Sequence, residues 1–128
     1  LVGYDKDPQM IRMAKDNAKR AGVQKFVHFE AQPFEKLALE EKPPGIIVAN
    51  PPYGERLQDL QEAQQLYANF GRMIKNMAPE WDLWILSGHE ELTQNLKMKS
   101  DQSFSIMNGP IECRWLHYKI LPRREVID

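Results

Sequence analysis

The 128 residues are one domain's worth at most, and with 42% hydrophobic and 27% charged side chains they have ordinary globular composition. Lys and Arg total 17 against 18 Asp and Glu, so the formal charge is −1 and no basic excess advertises nucleic-acid binding. The single cysteine, Cys113, excludes an intrachain disulfide and cannot assemble a zinc site. No apolar stretch approaches membrane-spanning length and no signal-like start is present, which makes a cytoplasmic protein the default expectation.

In chain order, Leu1 to Asp5 reads as a short strand ending in an acid. Asp7 and Pro8 then supply an N-cap and a first helical residue. Ile11, Ala14, Ala18 and Ala21 recur at spacings of three and four, as on an amphipathic helix that covers a sheet, and Gly22 ends it. An acid at the end of a strand that leads into a helix is placed to accept from both hydroxyls of a ribose. Asp5 is therefore expected to bind a nucleotide-type cofactor, with Asp7 as the cap; the plainer alternative is that both acids merely cap the helix. Phe26 to Ala31 reads as the next strand, followed by packing residues Phe34 and Leu37, with His28 at the sheet surface.

Ile46 to Ala49 is a short apolar run bounded by Pro43-Pro44-Gly45 and Pro51-Pro52, which suits a strand buried on both faces. Where that strand must stop stand Asn50, Pro51, Pro52 and Tyr53, just beyond a strand's carboxyl end, where open parallel sheets bind ligands. The residue types fit one kind of chemistry. An exocyclic base amine is a poor nucleophile because its lone pair is delocalised into the ring, and acceptors on its hydrogens help it pyramidalise. Asn50 offers a side-chain carbonyl, Pro51 a backbone carbonyl, and Pro52 stiffens the loop. Tyr53 offers a flat face for an unstacked base. The plainer alternative is a rigid Pro-Pro turn with Tyr53 as an anchor.

Leu57 to Gln65 is polar and reads as a mobile loop, either a lid or a linker. Leu66, Phe70, Met73, Ile74 and Met77 recur at helical spacing, and Pro79 ends that helix. Asp82 to Ser87 reads as a buried strand and Glu90 to Lys97 as a short helix with Leu92 and Leu96 inward. Two strand-like runs, Ser103 to Met107 and Ile111 to Ile120, meet at the turn Asn108-Gly109-Pro110. Trp115, His117 and Tyr118 suit sheet faces, Cys113 a small buried site, and Pro122 to Asp128 a polar tail.

Asn50-Pro51-Pro52-Tyr53 resembles the signature of S-adenosylmethionine-dependent methyltransferases that act on amino groups. The extension Gly54-Glu55-Arg56-Leu57 resembles one branch, the bacterial large-subunit ribosomal RNA guanine-N2 methyltransferases. So do Gly71-Arg72-Met73-Ile74-Lys75-Asn76, the Trp81 strand and Asn108-Gly109-Pro110-Ile111-Glu112-Cys113, so the likeness covers most of the chain. It implies an α/β, Rossmann-like methyltransferase sheet closed by a C-terminal β-hairpin, with residues 1–128 as a partial catalytic domain. It also implies S-adenosyl-L-methionine as cofactor and large-subunit ribosomal RNA as substrate. In its terms Asp5 binds the cofactor ribose, and Asn50 touches both cofactor and amine. Pro51, Pro52 and Tyr53 complete the catalytic loop, with Tyr53 and Arg56 on the substrate. An acid usually contacts the cofactor's adenine amine at the place where this chain has Gln32, which still accepts but carries no charge. No metal is expected, because a sulfonium is already an activated methyl donor.

The fold's usual first strand and its glycine-rich turn have no counterpart here, since no Gly-x-Gly occurs. That reads as an N-terminally truncated sheet with two unpaired edges in its middle, a weak or absent grip on the cofactor, and inactivity of the 128 residues alone. Most of the grip on RNA phosphates is expected from elsewhere, with an RNA-binding domain upstream, or else from local groups such as Arg56, Lys97, Lys99, Arg123 and Arg124. Two rival readings remain: a DNA adenine-N6 methyltransferase, which uses the same four residues, and a non-catalytic remnant that docks RNA or protein.

Overall fold

The computed structural model describes residues 1–52 and 57–122, and the side chains of residues 57 and 58 are outside that description. Tyr53, Gly54, Glu55, Arg56 and the expected tail from Arg123 to Asp128 therefore lie outside the described residues. The chain forms two compact units, residues 1–38 and 39–128.

The first unit is a β-α-β arrangement. β1 (Val2–Asp5) and β2 (His28–Ala31) pair in parallel, Val2 opposite His28 and Asp5 opposite Ala31, and α1 (Pro8–Arg20) connects them. Asp7 caps α1 by accepting from the Gln9 N–H at 2.9 Å, with Pro8 in the first turn where its missing donor is not needed. At the other end Gly22 takes φ +75, which lets Gly22 N–H reach the Lys19 carbonyl and Val23 N–H the Ala18 carbonyl, the Schellman pattern. Ile11 and Ala18 are buried, whereas Ala21 is exposed. The expected strand from Phe26 starts only at His28, and Phe26 is exposed.

In the second unit β3 (Ile46–Ala49), β4 (Asp82–Ser87), β5 (Gln102–Asn108) and β6 (Ile111–Lys119) form one sheet in the order β3-β4-β6-β5. β3 and β4 are parallel and joined by α2 (Leu57–Met77), while β6 inserts antiparallel between β4 and β5. This is the α/β sheet with a terminal hairpin that the sequence leads one to expect, and Gly109 turns that hairpin with φ +62. α3 (Glu90–Thr93) and a 3-10 turn (Gln94–Leu96) follow β4, with Leu92 and Leu96 both buried.

Two further expectations fail in this unit. The polar stretch from Leu57 to Gln65 is not a loop but the first half of α2. Its helical line runs through Leu60, Ala63, Tyr67, Gly71 and Ile74. Ala63, Tyr67 and Ile74 are buried hydrophobic residues, and Gly71 is buried with them. Burial of that one stripe outweighs the polarity of the remaining faces. Ile74 and Met77 are buried as expected, but Leu66, Phe70 and Met73 are only half-buried on the flanks. Gly71 permits a close crossing, because a Cβ there would stand 2.5 Å from the Leu96 carbonyl oxygen.

The second failure is β3, which is not buried on both faces. Ile46 and Val48 are 67% and 65% exposed. Among the described residues β3 pairs with β4 alone, and its alternation sends Ile46 and Val48 to the face that carries Trp84 and Phe104. The opposite face carries Ile47, Leu83, Ile85 and Tyr118, and the last three are buried. On the open face Asp82 bridges β4 to β6: its carboxylate pairs with His117 Nε2 at 2.7 Å and with Lys119 Nζ at 3.4 Å. The His117 hydrogen bond is the main reason the Asp82 carboxyl lies below its ordinary range; partial burial opposes the shift, and Lys119 reinforces it.

Candidate active site

Each unit places part of the expected site at the carboxyl ends of its parallel strands. In the first, Asp5 closes β1 and Gln32 follows β2 by one residue, and Gln32 N–H donates to the Asp5 carbonyl at 2.9 Å. Asp5 and Gln32, two of the three residues assigned to the cofactor, thus stand side by side. Asp5 Oδ1 accepts from Asp7 N–H at 2.8 Å, an Asx-type turn that fixes the carboxylate. Its second oxygen has no partner among the described residues. A carboxylate held by one oxygen and open at the other, on an exposed strand end, fits a pair of ribose hydroxyls.

In the second unit Asn50 stands one residue beyond β3 and is exposed, Pro51 is half-buried, and Pro52 is exposed. The prolines stop the ladder, because neither can donate to it. The loop is not held by the prolines alone. The Tyr67 hydroxyl donates to the Pro52 carbonyl at 3.2 Å, and Tyr67 itself is 1% exposed within α2. Sequence reasoning missed Tyr67. The signal was the spacing Leu60, Ala63, Tyr67, Gly71, Ile74, hidden by the glutamines and acids between them. Tyr53 and Arg56, expected to meet the substrate, lie outside the described residues. Beside the Asn50 loop β4 continues into Ser87, Gly88 and His89, and the buried Ser87 hydroxyl donates to the His89 carbonyl at 3.2 Å.

A β-α-β unit whose first strand ends in an acid, and a second unit whose first strand ends in an Asn-Pro-Pro loop, have counterparts among known proteins. Residues 1–117 match the family model described as UPF0020, an RMKL-like methyltransferase domain. The chain belongs to this family. Among curated members, "Ribosomal RNA large subunit methyltransferase K/L" of Dichelobacter nodosus is 35% identical over 119 residues, which is 93% of this chain and 16% of that protein. The chain therefore spans about one sixth of the length of such a relative. A possible methylase from Clostridium difficile 630 superposes with a TM-score of 0.86 at 30% identity, covering 97% of this chain and 33% of the other. The structure of SMU.472 complexed with SAH superposes with a TM-score of 0.84 at 25% identity, covering 98% and 32%. The fold is that of the Rossmann-like methyltransferases.

Among the described residues, no group of three or more His, Cys, Asp and Glu is suited to a metal ion, and no helix is long and apolar enough to cross a membrane. His28 pairs with Glu30 at 2.8 Å on the surface of the first unit.

Proposed function

We propose that this chain is part of the catalytic domain of a cytoplasmic enzyme that methylates an exocyclic amine of large-subunit ribosomal RNA, at guanine N2. The observation that carries the reading is the placement of Asn50 and Pro51 immediately beyond β3, in a chain of the RMKL-like family. The name shared by its curated relatives supports ribosomal RNA as the substrate, and SAH in the SMU.472 structure supports S-adenosyl-L-methionine as the cofactor.

When bound, the cofactor supplies a methyl group already activated on a sulfonium. The chain's own residues do the rest. Asp5 holds the ribose hydroxyls through its open carboxylate oxygen, and Gln32 accepts from the adenine amine. The Asn50 side-chain carbonyl and the Pro51 backbone carbonyl accept the two hydrogens of the target amine. With both hydrogens held, the nitrogen would pyramidalise and its lone pair would become available for attack. Tyr53 stacks on the flipped base, and Arg56 contacts the strand that carries it. Acceptors set in advance of the reaction need no reorganisation as charge develops on the nitrogen. An RNA-binding domain elsewhere in the full-length protein supplies most of the phosphate grip, as the charge of −1 suggests.

The test is methyl transfer from labelled cofactor to protein-free ribosomal RNA by the full-length protein, followed by digestion to nucleosides. N2-methylguanosine supports the reading. Labelled N6-methyladenosine, formed on DNA in a parallel reaction, moves it to the adenine rival. No incorporation, together with no binding of cofactor, moves it to a docking role.

A further inference from the structure

The second unit contains an open cleft of about 650 Å³ whose lining includes neither Asn50 nor Pro51. Its walls are the carboxyl end of β4, α3 with the following turn, and the β5–β6 hairpin. Arg114, Lys99, Tyr118, Glu90 and Glu112 line it. Three features mark it as a place for a ligand rather than a surface irregularity.

The first is the state of its cations. Arg114 Nε donates to the Ser103 hydroxyl at 2.7 Å and one terminal nitrogen to the Ser105 hydroxyl at 3.4 Å. The two serines face Arg114 and its neighbour Leu116 across the hairpin, so they aim the guanidinium without neutralising it. Among the described residues no carboxylate lies within ion-pair distance of Arg114 or Lys99. The second is Tyr118, which is 3% exposed, lines the cleft, and has no hydroxyl partner among the described residues. Its hydroxyl oxygen is not sealed from solvent, so it is free to donate to whatever occupies the cleft. The third is position. Ala49 pairs with Ile85 and Ser87 with Arg114, so Arg114 stands only about one residue further along the strands than Asn50. It is two strands away, about 10 Å across the sheet.

That separation is one to two nucleotides of a single strand. We infer that the cleft holds the sugar-phosphate backbone of the RNA next to the target base, with a phosphate on Arg114 and Lys99. The guanidinium fork matches phosphate oxygens, and Lys99 adds a point charge. The Tyr118 hydroxyl donates to the same backbone. Glu90 and Glu112, on the cleft wall, accept from a ribose 2′-hydroxyl, the group that distinguishes RNA from DNA. This role for the cleft rests on the methyltransferase reading and extends it. It gives that reaction a second anchoring point on the substrate strand.

The test uses the full-length protein, with filter binding of protein-free ribosomal RNA measured over a range of NaCl concentrations. Removing one cation from a single-strand phosphate lowers the slope of log affinity against log salt by about 0.7. Arg114→Gln and Lys99→Gln are each expected to flatten the slope by that amount and to raise KM for RNA. Arg114→Lys is expected to retain the wild-type slope, and the Kd for cofactor is expected to stay the same in all three, which separates a missing phosphate grip from misfolding. An unchanged slope in both neutral variants overturns the inference, and the cleft would then belong to some other partner. Methyl transfer by the wild type is scored separately. If it is absent while the slopes still respond, the proposed chemistry falls and the cleft stands.

Discussion

The Tyr67 hydroxyl donates to the carbonyl of Pro52 at 3.2 Å, tying the middle of α2 to the loop that follows β3. Pro52 directly follows the residue whose carbonyl is assigned to the substrate amine, so this bond sets the direction of the peptide there. Tyr67→Phe keeps the buried ring and removes only the tether. A neutral hydrogen bond contributes about 1 kcal/mol, and a misdirected acceptor costs more in rate than in binding. In the full-length enzyme kcat is expected to fall about fivefold to tenfold, with KM for cofactor unchanged. A proportionate rise in KM with kcat intact would show that Tyr67 serves packing alone.

Asn50→Ala removes one of the two acceptors proposed for the amine. Loss of an acceptor used mainly in the transition state is expected to lower kcat by more than tenfold, or about 1.4 kcal/mol of barrier. Single-turnover transfer at saturating RNA measures it. A smaller loss would mean that Asn50 does not hold the amine.

Gly71→Ala puts a methyl group 2.5 Å from the Leu96 carbonyl oxygen and 2.9 Å from its Cα. Alanine is the better helix former, so helix propensity favours the change by up to about 1 kcal/mol. The collision wins, because both opposing atoms are backbone and overpacking costs about 1–3 kcal/mol. A lower urea midpoint is expected. Gly109→Ala, whose Cβ meets nothing within 4 Å, is strained only through its φ of +62 and serves as the milder comparison.

Two groups give the fold a dependence on pH. The Asp82 carboxyl is depressed in the folded chain below its ordinary 3.8, chiefly by the His117 hydrogen bond. Its stabilising contribution is therefore complete above that value and disappears as the pH falls through the lower, folded one. Burial raises the Tyr118 phenol above its ordinary 10.0. The neutral phenol is the form the fold prefers, so burial turns against the fold as the pH rises past 10.0 and the unfolded chain begins to ionise. Urea midpoints followed against pH should fall at both extremes. His117→Gln should flatten the acid limb, and Tyr118→Phe the alkaline limb.

Much of this fold could be read in the residues. Capping by Asp7, the stop at Gly22 and the hairpin at Gly109 rest on local chemistry that tertiary structure does not override. Asn50 falls past the strand because Pro51 and Pro52 cannot continue a ladder. Features that depend on neighbours in space were not legible. Nothing in Ile46 to Ala49 says which of its two faces is covered, so the exposure of Ile46 and Val48 could not be foreseen. The helical start of α2 was obscured by its glutamines, and Tyr67 with it. Lys99 stands out in the sequence as a local cation, but Arg114 does not. Its significance comes from two serines on the partner strand and from a register that runs across three strands.

The close crossing at Gly71 has a wider consequence. Tyr67 lies one helical turn before it, so the tether on Pro52 is gauged by main chain against main chain rather than through compressible side chains. Core substitutions further along α2, at Ile74 or Met77, can then repack and lower stability while the loop keeps its place. This half of the domain can accumulate sequence change in its interior at little cost to the geometry of its chemistry. The exceptions are the glycine and the tyrosine, which drift cannot replace without moving the loop.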